Sequence, residues 1–332
     1  MNVEAIKKKD YISMWFDVRK EMGINDTMNI GGLNKLTGDV DWSGFSHSDM
    51  DGLGGVATLL RGNGYPCSKL PVGRDNHEPS IFSLLKDNKV NKSKMDKHPK
   101  KIEWLKTYVC GNDNTAPIST GYFDKQTTAI IKHNAKRNKV ALSTHVLWAL
   151  NKSISENLLK PDQHYYWFYP VNLRGAVKKE LDTDNYSSGV NVCLSNSISP
   201  RETQLTIRNK LRSNEYWMTW KLAHIGKLIR KPGVKYVYRS LSEKNFYAGS
   251  FSFLGAWPLK EASNPPENPE SVWVSCGIGT KNYPVSTGVM EWYGQLTLGL
   301  KLHPWIANNQ GVTDRCLSDW KKYLVEDMNH DA

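Results

Sequence analysis

The chain has 332 residues, of which 39% are hydrophobic and 12 are Trp, and its formal net charge is +11. This composition supplies a large buried core, arranged as one domain or as two subdomains. It excludes several classes of protein, because the sequence has no signal-peptide pattern and no apolar window long enough to cross a membrane. Five scattered cysteines suit neither a disulfide framework nor a zinc site. We therefore expect a folded cytoplasmic protein without a metal centre.

The first part of the chain predicts a helix, a strand and a charged loop. Apolar residues at helical spacing predict a helix over 5–22, which ends near Gly23, and a strand follows over 28–36. Lysines dominate the stretch 86–101, where apolar residues are few. We interpret this stretch as a solvated loop; the functional alternative is that it attracts the phosphates of a ligand or an acidic partner protein. Nucleic acid is not favoured as a partner, since the stretch lacks interleaved aromatic residues and no nucleic-acid-binding motif occurs.

The stretch 45–55 carries a reactive pattern. It places one histidine, two carboxylates and three glycines in a turn that opens an apolar helix. His47 titrates near neutral pH, so it can take a proton from an attacking hydroxyl or amine and return that proton to the leaving group. Asp51 can fix the turn through an ion pair, and Gly52 can adopt a backbone conformation closed to other residues. The alternative is a surface histidine in a turn rich in Asp and Gly.

Beyond Pro117 the periodic signals become clearer. The stretch 202–230 is a long amphipathic segment whose apolar residues, among them Leu205 and Leu222, are expected in the core. Ser143 or Thr144 is expected to cap the start of the helix predicted over 143–157. The other predicted elements are helices over 124–138, 143–157 and 313–325, and strands over 165–172, 189–194, 246–253, 272–276 and 291–302. Helices and strands alternate, which predicts an α/β or α+β fold.

The pattern of His47, Asp51 and Gly52, written HxxxDG, resembles the signature of the CoA-dependent acyltransferase superfamily. This superfamily includes chloramphenicol acetyltransferase, wax ester synthases and the condensation domains of peptide synthetases. Four later stretches occur in the family's order: 143–150 is similar to the helix that opens the second half, 169–175 to a P-V-N-L-R strand end, 184–192 to an Asn followed by a strand, and 252–255 to S-N-x-G. Two positions depart from the pattern, because Ser46 replaces the first of two histidines and Phe253 replaces an Asn.

The resemblance implies a fold and a division of the chain. The expected fold is α/β (α+β), a chloramphenicol acetyltransferase-like sandwich of two subdomains. Far fewer residues precede His47 than is usual in the family, so the N-terminal subdomain, over 1–117, is expected to be reduced. The C-terminal subdomain is expected over 118–332.

The resemblance also implies an activity and a site. The activity is transfer of an acyl group from a CoA or acyl-carrier-protein thioester to a hydroxyl or amine, with His47 as general base. In the family the Asp of the motif is structural and pairs with an arginine, which makes Asp51 an orienting residue and Arg174 its candidate partner. The candidate substrate-binding residues are Ser46, Asn185 and Ser252.

The same resemblance defines the expected ligands and leaves one alternative open. No tightly bound cofactor is expected; acyl-CoA or an acyl-pantetheine carrier is the co-substrate, and a small-molecule or lipid alcohol or amine is the acceptor. The expected partner is acyl-CoA or an acidic acyl carrier protein, and the formation of a homo-oligomer is left open. The alternative is a catalytically inactive or partner-dependent binding protein of the same fold, which the departures at Ser46 and Phe253 motivate.

Other polar residues also bear on the chemistry that the sequence predicts. Asp49 and Asp51 lack the further acidic ligands that a Ca²⁺-binding EF-hand loop needs. His145 lies in an apolar helix and is interpreted as a core histidine. Hydroxyls that can be aimed at a developing oxyanion belong to Ser119, Thr120 and Ser252.

Overall fold

The computed structural model describes residues 11–84, 101–109, 117–224, 226–242, 246–258 and 270–326. The helices are α1 Tyr11–Glu21, α2 Gly52–Gly62, α3 Lys125–Arg137, α4 Leu142–Leu158, α5 Pro200–Arg212, α6 Glu215–His224, α7 Gly226–Ser242 and α8 Gln310–Val325. The strands are β1 Thr27–Asn34, β2 Val40–Ser46, β3 Ile118–Tyr122, β4 His164–Asn172, β5 Ser187–Ser195, β6 Tyr247–Ser250, β7 Phe253–Trp257, β8 Ser271–Cys276, β9 Val285–Trp292 and β10 Gln295–Leu302. Apart from Lys101, the lysine-rich stretch 86–101 lies outside these described residues.

A seven-stranded mixed sheet forms the centre of the molecule. Its order is β3-β10-β9-β6-β4-β5, and β7 also pairs with β9. Strand β6 runs parallel to both neighbours, whereas β4–β5, β9–β10 and β3–β10 are antiparallel. Helix α4 buries Val146, Leu147 and Ile154 completely in the core over this sheet, and the Trp320 indole of α8 donates to the Val146 carbonyl at 3.0 Å. The sheet is therefore fixed by a helical layer that ties α4 to α8.

Two predicted strands are in fact pairs of strands. The stretch 291–302 contains the end of β9 and all of β10, joined through Tyr293 and Gly294, whose φ angles are +46° and +83°. Two successive positive φ angles define a tight hairpin turn that matches the strand twist. The single-strand prediction was wrong because β10 is buried on both faces and the turn begins with a tyrosine, so neither periodicity nor composition marks it. The stretch 246–253 likewise contains β6 and the start of β7.

A smaller sheet carries the turn that follows β2. Its order is β2-β1-β8, with both pairings antiparallel. Ile30 and Val56 from the first part of the chain share one buried core with Val274 and Met290 from the last part. Strand β8 therefore crosses from the C-terminal region to complete the sheet of the N-terminal region. The division at residues 117 and 118 stays a prediction.

The long amphipathic stretch is broken into separate helices. Asn214 adopts a left-handed φ of +56° between α5 and α6, and Leu205 and Leu222 are 58% and 52% exposed. Their predicted place in the core was wrong, because the break rotates each helix so that only one side of it meets the sheet. Ile207 and Trp217 are buried as predicted. Within the described ranges, no helix combines the length and the hydropathy needed to cross a membrane.

The start of α4 is also capped differently from the prediction. Its first turn follows Ala141, and neither Ser143 nor Thr144 makes the expected side-chain cap. Instead Gln204 of α5 reaches across, and its Oε1 accepts from the Ala141 amide at 2.7 Å and from the Thr144 hydroxyl at 3.0 Å. A long-range side chain thus replaces the local cap, which no local pattern reveals.

Candidate functional site

His47 lies in the turn between β2 and α2. Strand β2 ends at Ser46, and the His47 amide donates to the Asp26 carbonyl at 2.9 Å, just before β1 begins. The Ser46 hydroxyl donates to the Asp26 carboxylate at 2.9 Å and lies 2.6 Å from the Ser48 hydroxyl. These bonds hold the turn against the start of β1, so the backbone that carries His47 is fixed on both sides.

Two contacts of the imidazole bear on its tautomer. The Nδ1 atom lies 2.9 Å from the Met50 carbonyl oxygen, which can only accept, and 3.1 Å from Asn185 Nδ2, which can only donate. We assign the proton to Nδ1 because the Met50 contact is the shorter one and because Asn185 Nδ2 already has an acceptor in the His47 carbonyl. Asn185 donates from Nδ2 to the His47 carbonyl oxygen at 2.8 Å, and its own amide is oriented by the Ser187 backbone amide, which donates to Asn185 Oδ1 at 3.1 Å. The other ring nitrogen, Nε2, makes no hydrogen bond to the described residues. With the proton assigned to Nδ1, Nε2 is an unprotonated acceptor.

The surroundings favour the neutral form of His47. Burial lowers the pKa of its imidazole below the ordinary value of 6.5, and the nearby Arg19 cation lowers it further. The Met50 carbonyl and the carboxylates of Asp51 and Asp26 raise the pKa, but they do not offset burial. At neutral pH the imidazole is therefore ready to accept a proton.

Asp51 organises the turn through four donors. Its carboxylate accepts from Arg174 Nη1 at 2.8 Å and Nη2 at 2.9 Å, from the Gly54 amide at 2.9 Å and from the Tyr186 amide at 2.9 Å. Asp51 and Arg174 are only 4% and 5% exposed. The Gly54 bond makes Asp51 the N-cap of α2, while Arg174 and Tyr186 flank the segment between β4 and β5. One carboxylate thus joins the His47 turn to the larger sheet.

Arg174 is saturated by acceptors around this pair. Its Nε donates to the Asp182 carbonyl at 2.8 Å, and its Nη2 donates to the Asp184 carbonyl at 3.0 Å. The guanidinium also lies 4.6 Å from the centre of the Tyr186 ring. The second N–H of Nη1 donates to Asn172 Oδ1 at 3.3 Å, so every donor of the guanidinium has an acceptor. A buried cation with this set of partners is a positioning group, because it has no donor left for a ligand.

The expectation for Gly52 was wrong. Gly52 is the first residue of α2 and is not among the residues with positive φ. A side chain there would instead meet Leu254 Cδ2 at 3.0 Å. Gly54 faces a tighter constraint, because a Cβ on it would overlap the carbonyl oxygen of Thr183. The glycines of the turn are required for close packing rather than for an unusual backbone angle.

His47 opens onto a cavity of about 440 Å³ between the two sheets. This volume is in the range of small-molecule sites. The wall is largely apolar and includes Phe168, Val171, Phe253 and Ile278. The hydroxyls and amides in it come from Asn172, Asn185, Ser187, Ser188, Thr219, Ser250, Ser252, Ser275, Thr280 and Thr287.

The structure brings some candidate residues into this cavity and leaves others elsewhere. Asn185 and Ser252 line it together with His47, whereas Ser46 does not and instead bonds within the turn. Ser119 donates to Asp314 at 2.6 Å, and neither it nor Thr120 is among the lining residues, so Ser252 is the one of the three oxyanion candidates that lies at the cavity.

The interpretation of His145 as a core residue is confirmed. It is fully buried, its ring stacks on Trp148 with 5.8 Å between the centres, and its Nε2 lies 3.3 Å from the Leu324 carbonyl oxygen. Burial lowers the pKa of this imidazole as well. His145 is thus held neutral inside the helical layer, on elements that do not contribute to the cavity wall.

Sequence reasoning missed the contribution of α1. Trp15, Phe16 and Arg19 of this helix line the cavity, and Phe16 lies 5.2 Å from the His47 ring, centre to centre. Arg19 follows Trp15 by four residues and Phe16 by three, so all three side chains share one face of the helix. A cation beside aromatic residues on one helix face was therefore the signal that the sequence offered for this part of the site. Within the part of the chain that is described, no group of three or more His, Cys, Asp or Glu side chains is arranged to hold a metal ion.

Comparisons with known proteins bear on the fold. No protein-family model and no curated protein matches the chain. The crystal structure of the nonribosomal peptide synthetase FmoA3 is similar, with a TM-score of 0.55 and 11% sequence identity over 88% of this chain and 31% of that chain. The cyclization-docking bidomain of the nonribosomal peptide synthetase EpoB from Sorangium cellulosum is also similar, with a TM-score of 0.51 and 12% identity over 87% of this chain and 61% of that chain.

These likenesses define the fold of the chain. It is the mixed α/β, chloramphenicol acetyltransferase-like fold found in condensation domains, and the predicted fold class is confirmed. The chain spans under a third of the synthetase and about three fifths of the bidomain. Because sequence identity is low, the likeness concerns the fold, and the chemistry has to be argued from the site.

Proposed function

We propose that this protein is an acyltransferase that moves an acyl group from a thioester to a hydroxyl or amine, with His47 as general base. The observation that carries the proposal is the arrangement of the imidazole. Nδ1 is held by the Met50 carbonyl, and Nε2 is left without a partner among the described residues at a cavity of about 440 Å³. This is the arrangement that a base needs in order to accept a proton from a bound acceptor.

The chemical step is the following. As the acceptor oxygen or nitrogen attacks the thioester carbonyl carbon, His47 Nε2 takes its proton and a C–O or C–N bond forms. The carbonyl oxygen becomes an oxyanion, for which the Ser252 hydroxyl in the cavity wall is the candidate donor. When the C–S bond breaks, the imidazolium returns the proton to the sulfur, so the products are the acylated acceptor and a free thiol.

The supporting residues act through position. The Arg174–Asp51 pair fixes the turn, and Asn185 fixes the backbone of His47 through its bond to the carbonyl oxygen. These residues hold Nε2 in one place relative to the cavity, which matters because small displacements of a catalytic group reduce the rate strongly.

The donor of the acyl group is proposed to be an acyl-pantetheine carrier protein or CoA. A carrier is supported by the likeness of the fold to parts of nonribosomal peptide synthetases and by the net charge of +11, which suits an acidic partner. CoA carries the same pantetheine thioester, so a donor panel has to include both.

The test is a turnover assay with matched histidine variants. Wild-type protein is incubated with a panel of acyl-CoAs and acyl-carrier proteins and with alcohol and amine acceptors, and free thiol and acylated product are measured. We expect His47→Ala to reduce turnover by about 10²- to 10⁴-fold. His133→Ala, at an exposed histidine of α3, is the control and should keep full turnover. Equal turnover in wild type and His47→Ala would refute the proposal.

A further inference from the structure

Arg19 is the cation in the wall of the cavity. It lies in the last part of α1, on the same face as Trp15 and Phe16, and all three line the cavity with His47. The Trp15 indole donates to the Ala223 carbonyl of α6 at 2.9 Å, which anchors this part of the helix. Arg19 is thus carried by a fixed element rather than by a free surface segment.

The guanidinium of Arg19 has few partners of its own. Nη2 donates to the Asn25 carbonyl at 3.3 Å, and the group lies 5.1 Å from the centre of the Phe16 ring. Nε is buried without a hydrogen bond, and no carboxylate among the described residues forms an ion pair with Arg19. The Asp51 carboxylate at the cavity is not a counter-ion for Arg19, because both of its oxygens already accept from Arg174. A cation in a partly dry wall is costly unless an anion meets it.

We infer that Arg19 binds a carboxylate of the substrate and so selects an acceptor or an acyl group that carries one close to its reacting atoms. The inference rests on the proposed function for the identity of the reacting atoms, and it adds the substrate class. Arginine suits this task because its planar fork donates two parallel hydrogen bonds to a carboxylate.

Distance favours a carboxylate over the phosphate of a pantetheine arm. The Phe16 ring neighbours both groups, because its centre lies 5.1 Å from the Arg19 guanidinium carbon and 5.2 Å from the His47 ring centre. The sum of these two distances, about 10 Å, is the upper limit on the separation of the guanidinium carbon and the imidazole centre, and an extended chain of about eight carbon–carbon bonds spans it. The phosphate of pantetheine is separated from its sulfur by the entire arm. An anion that reaches Arg19 while the reaction occurs at His47 must therefore belong to a compact substrate.

The first arm of the test is kinetic and uses substrates in matched pairs. The acceptors are amino acids and hydroxy acids, each beside its amide, and the donors are succinyl-CoA beside butyryl-CoA. We expect wild type to have the lower KM for the carboxylate-bearing substrate in either the acceptor pairs or the donor pair. Arg19→Gln should raise KM for that substrate by about 10- to 100-fold without changing KM for its neutral counterpart. Arg19→Lys should retain part of the preference. Arg208→Gln, at an exposed arginine of α5, should behave as wild type.

The second arm measures binding without turnover. Thermal shifts are recorded with the same acids, their amides, inorganic phosphate and CoA. We expect the acids to stabilise wild type and His47→Ala alike and to lose this effect in Arg19→Gln. This arm separates the inference from the proposed function. A thermal shift that depends on Arg19, in a protein that shows no turnover, would support the binding role of Arg19 and would count against His47 as the base.

Three outcomes would overturn the inference. They are an equal response to acids and amides in wild type, an unchanged preference for acids in Arg19→Gln, and a loss in Arg19→Gln that affects phosphate or CoA instead of the acids. Should Arg19→Gln fail to fold, Arg19→Met keeps the aliphatic stem against Phe16 and removes the charge.

Discussion

The buried guanidinium of Arg174 donates hydrogen bonds to both carboxylate oxygens of Asp51, at 2.8 Å and 2.9 Å. The two residues are 123 positions apart in the chain. Asp51 is the N-cap of α2 at the end of the His47 turn, and Arg174 follows the end of β4. This pair therefore connects the smaller sheet, with its candidate base, to the larger sheet, which supplies most of the opposite cavity wall.

Removal of the Asp51 charge should destabilise the protein. Asp51→Asn leaves the buried Arg174 guanidinium without its counter-ion, and we expect the free energy of unfolding to fall by about 3 to 5 kcal/mol. Urea unfolding measures the change. Asp49→Asn, two residues earlier and exposed, is the matched control and should stay within about 0.5 kcal/mol of wild type. Equal stability of the two variants would contradict the role assigned to Asp51.

Close packing of the turn predicts a ranking of glycine substitutions. Gly54→Ala drives a Cβ into the Thr183 carbonyl, which is backbone and cannot rotate away, so we expect a loss of about 1 to 3 kcal/mol or more. Gly52→Ala meets only the flexible end of Leu254 and should cost less. Gly62→Ala, in open space at the end of the same helix, should gain about 0.4 to 1 kcal/mol. Thermal or urea unfolding in any other order would refute this account of the glycines.

Asn185 should affect the rate more than the stability. Asn185→Ala removes the 2.8 Å bond to the His47 carbonyl and lets the turn move, so we expect kcat to fall by about 10²-fold. Asn185→Asp should be worse, because a carboxylate would face that carbonyl oxygen with like partial charge. Ser187→Ala, which removes the hydroxyl that bonds to Asn185 Oδ1 at 2.7 Å, is the milder control. A wild-type kcat in Asn185→Ala would show that the bond does not position the base.

The sequence predicted the fold class and the principal elements because their signals are local. The helical pattern over 124–138 is enough to predict α3, which the structure places at Lys125–Arg137, and the patterns over 165–172 and 189–194 predict β4 and β5. The HxxxDG pattern also placed His47 and Asp51 at one corner, since four residues of a turn cannot separate them far.

The missed features depend on contacts between distant parts of the chain. The approach of Arg19 and Phe16 to His47 results from the packing of α1 against α6 and α7, which no short window encodes. The hairpin at Tyr293 was hidden because β10 is buried throughout and β9 is buried at every position except Glu291. Gly52 was predicted to need an unusual backbone angle. What limits this position is instead the side chain of Leu254, which is about two hundred residues away in the sequence and packs against it.

The charge of Arg19 should be visible in the titration of His47. Burial lowers the pKa of His47 most, and Arg19 adds to the effect, so Arg19→Gln should raise this pKa toward its ordinary value. Histidine NMR titration measures the change, with His47→Ala used to assign the signal. Arg208→Gln, remote from the cavity wall, should leave the titration unchanged. An unchanged or lowered pKa in Arg19→Gln would mean that the guanidinium does not act on the imidazole.

The pH dependence of kcat/KM tests most directly whether His47 is the base. Only the neutral imidazole accepts a proton, and its pKa lies below 6.5, so kcat/KM of wild type should be level near pH 7 and fall as the pH drops through the His47 pKa. In His47→Ala the residual rate should be lower by about 10²- to 10⁴-fold and should lack this acid limb. A wild-type rate that persists or rises at low pH, or the same acid limb in His47→Ala, would contradict general-base catalysis by His47.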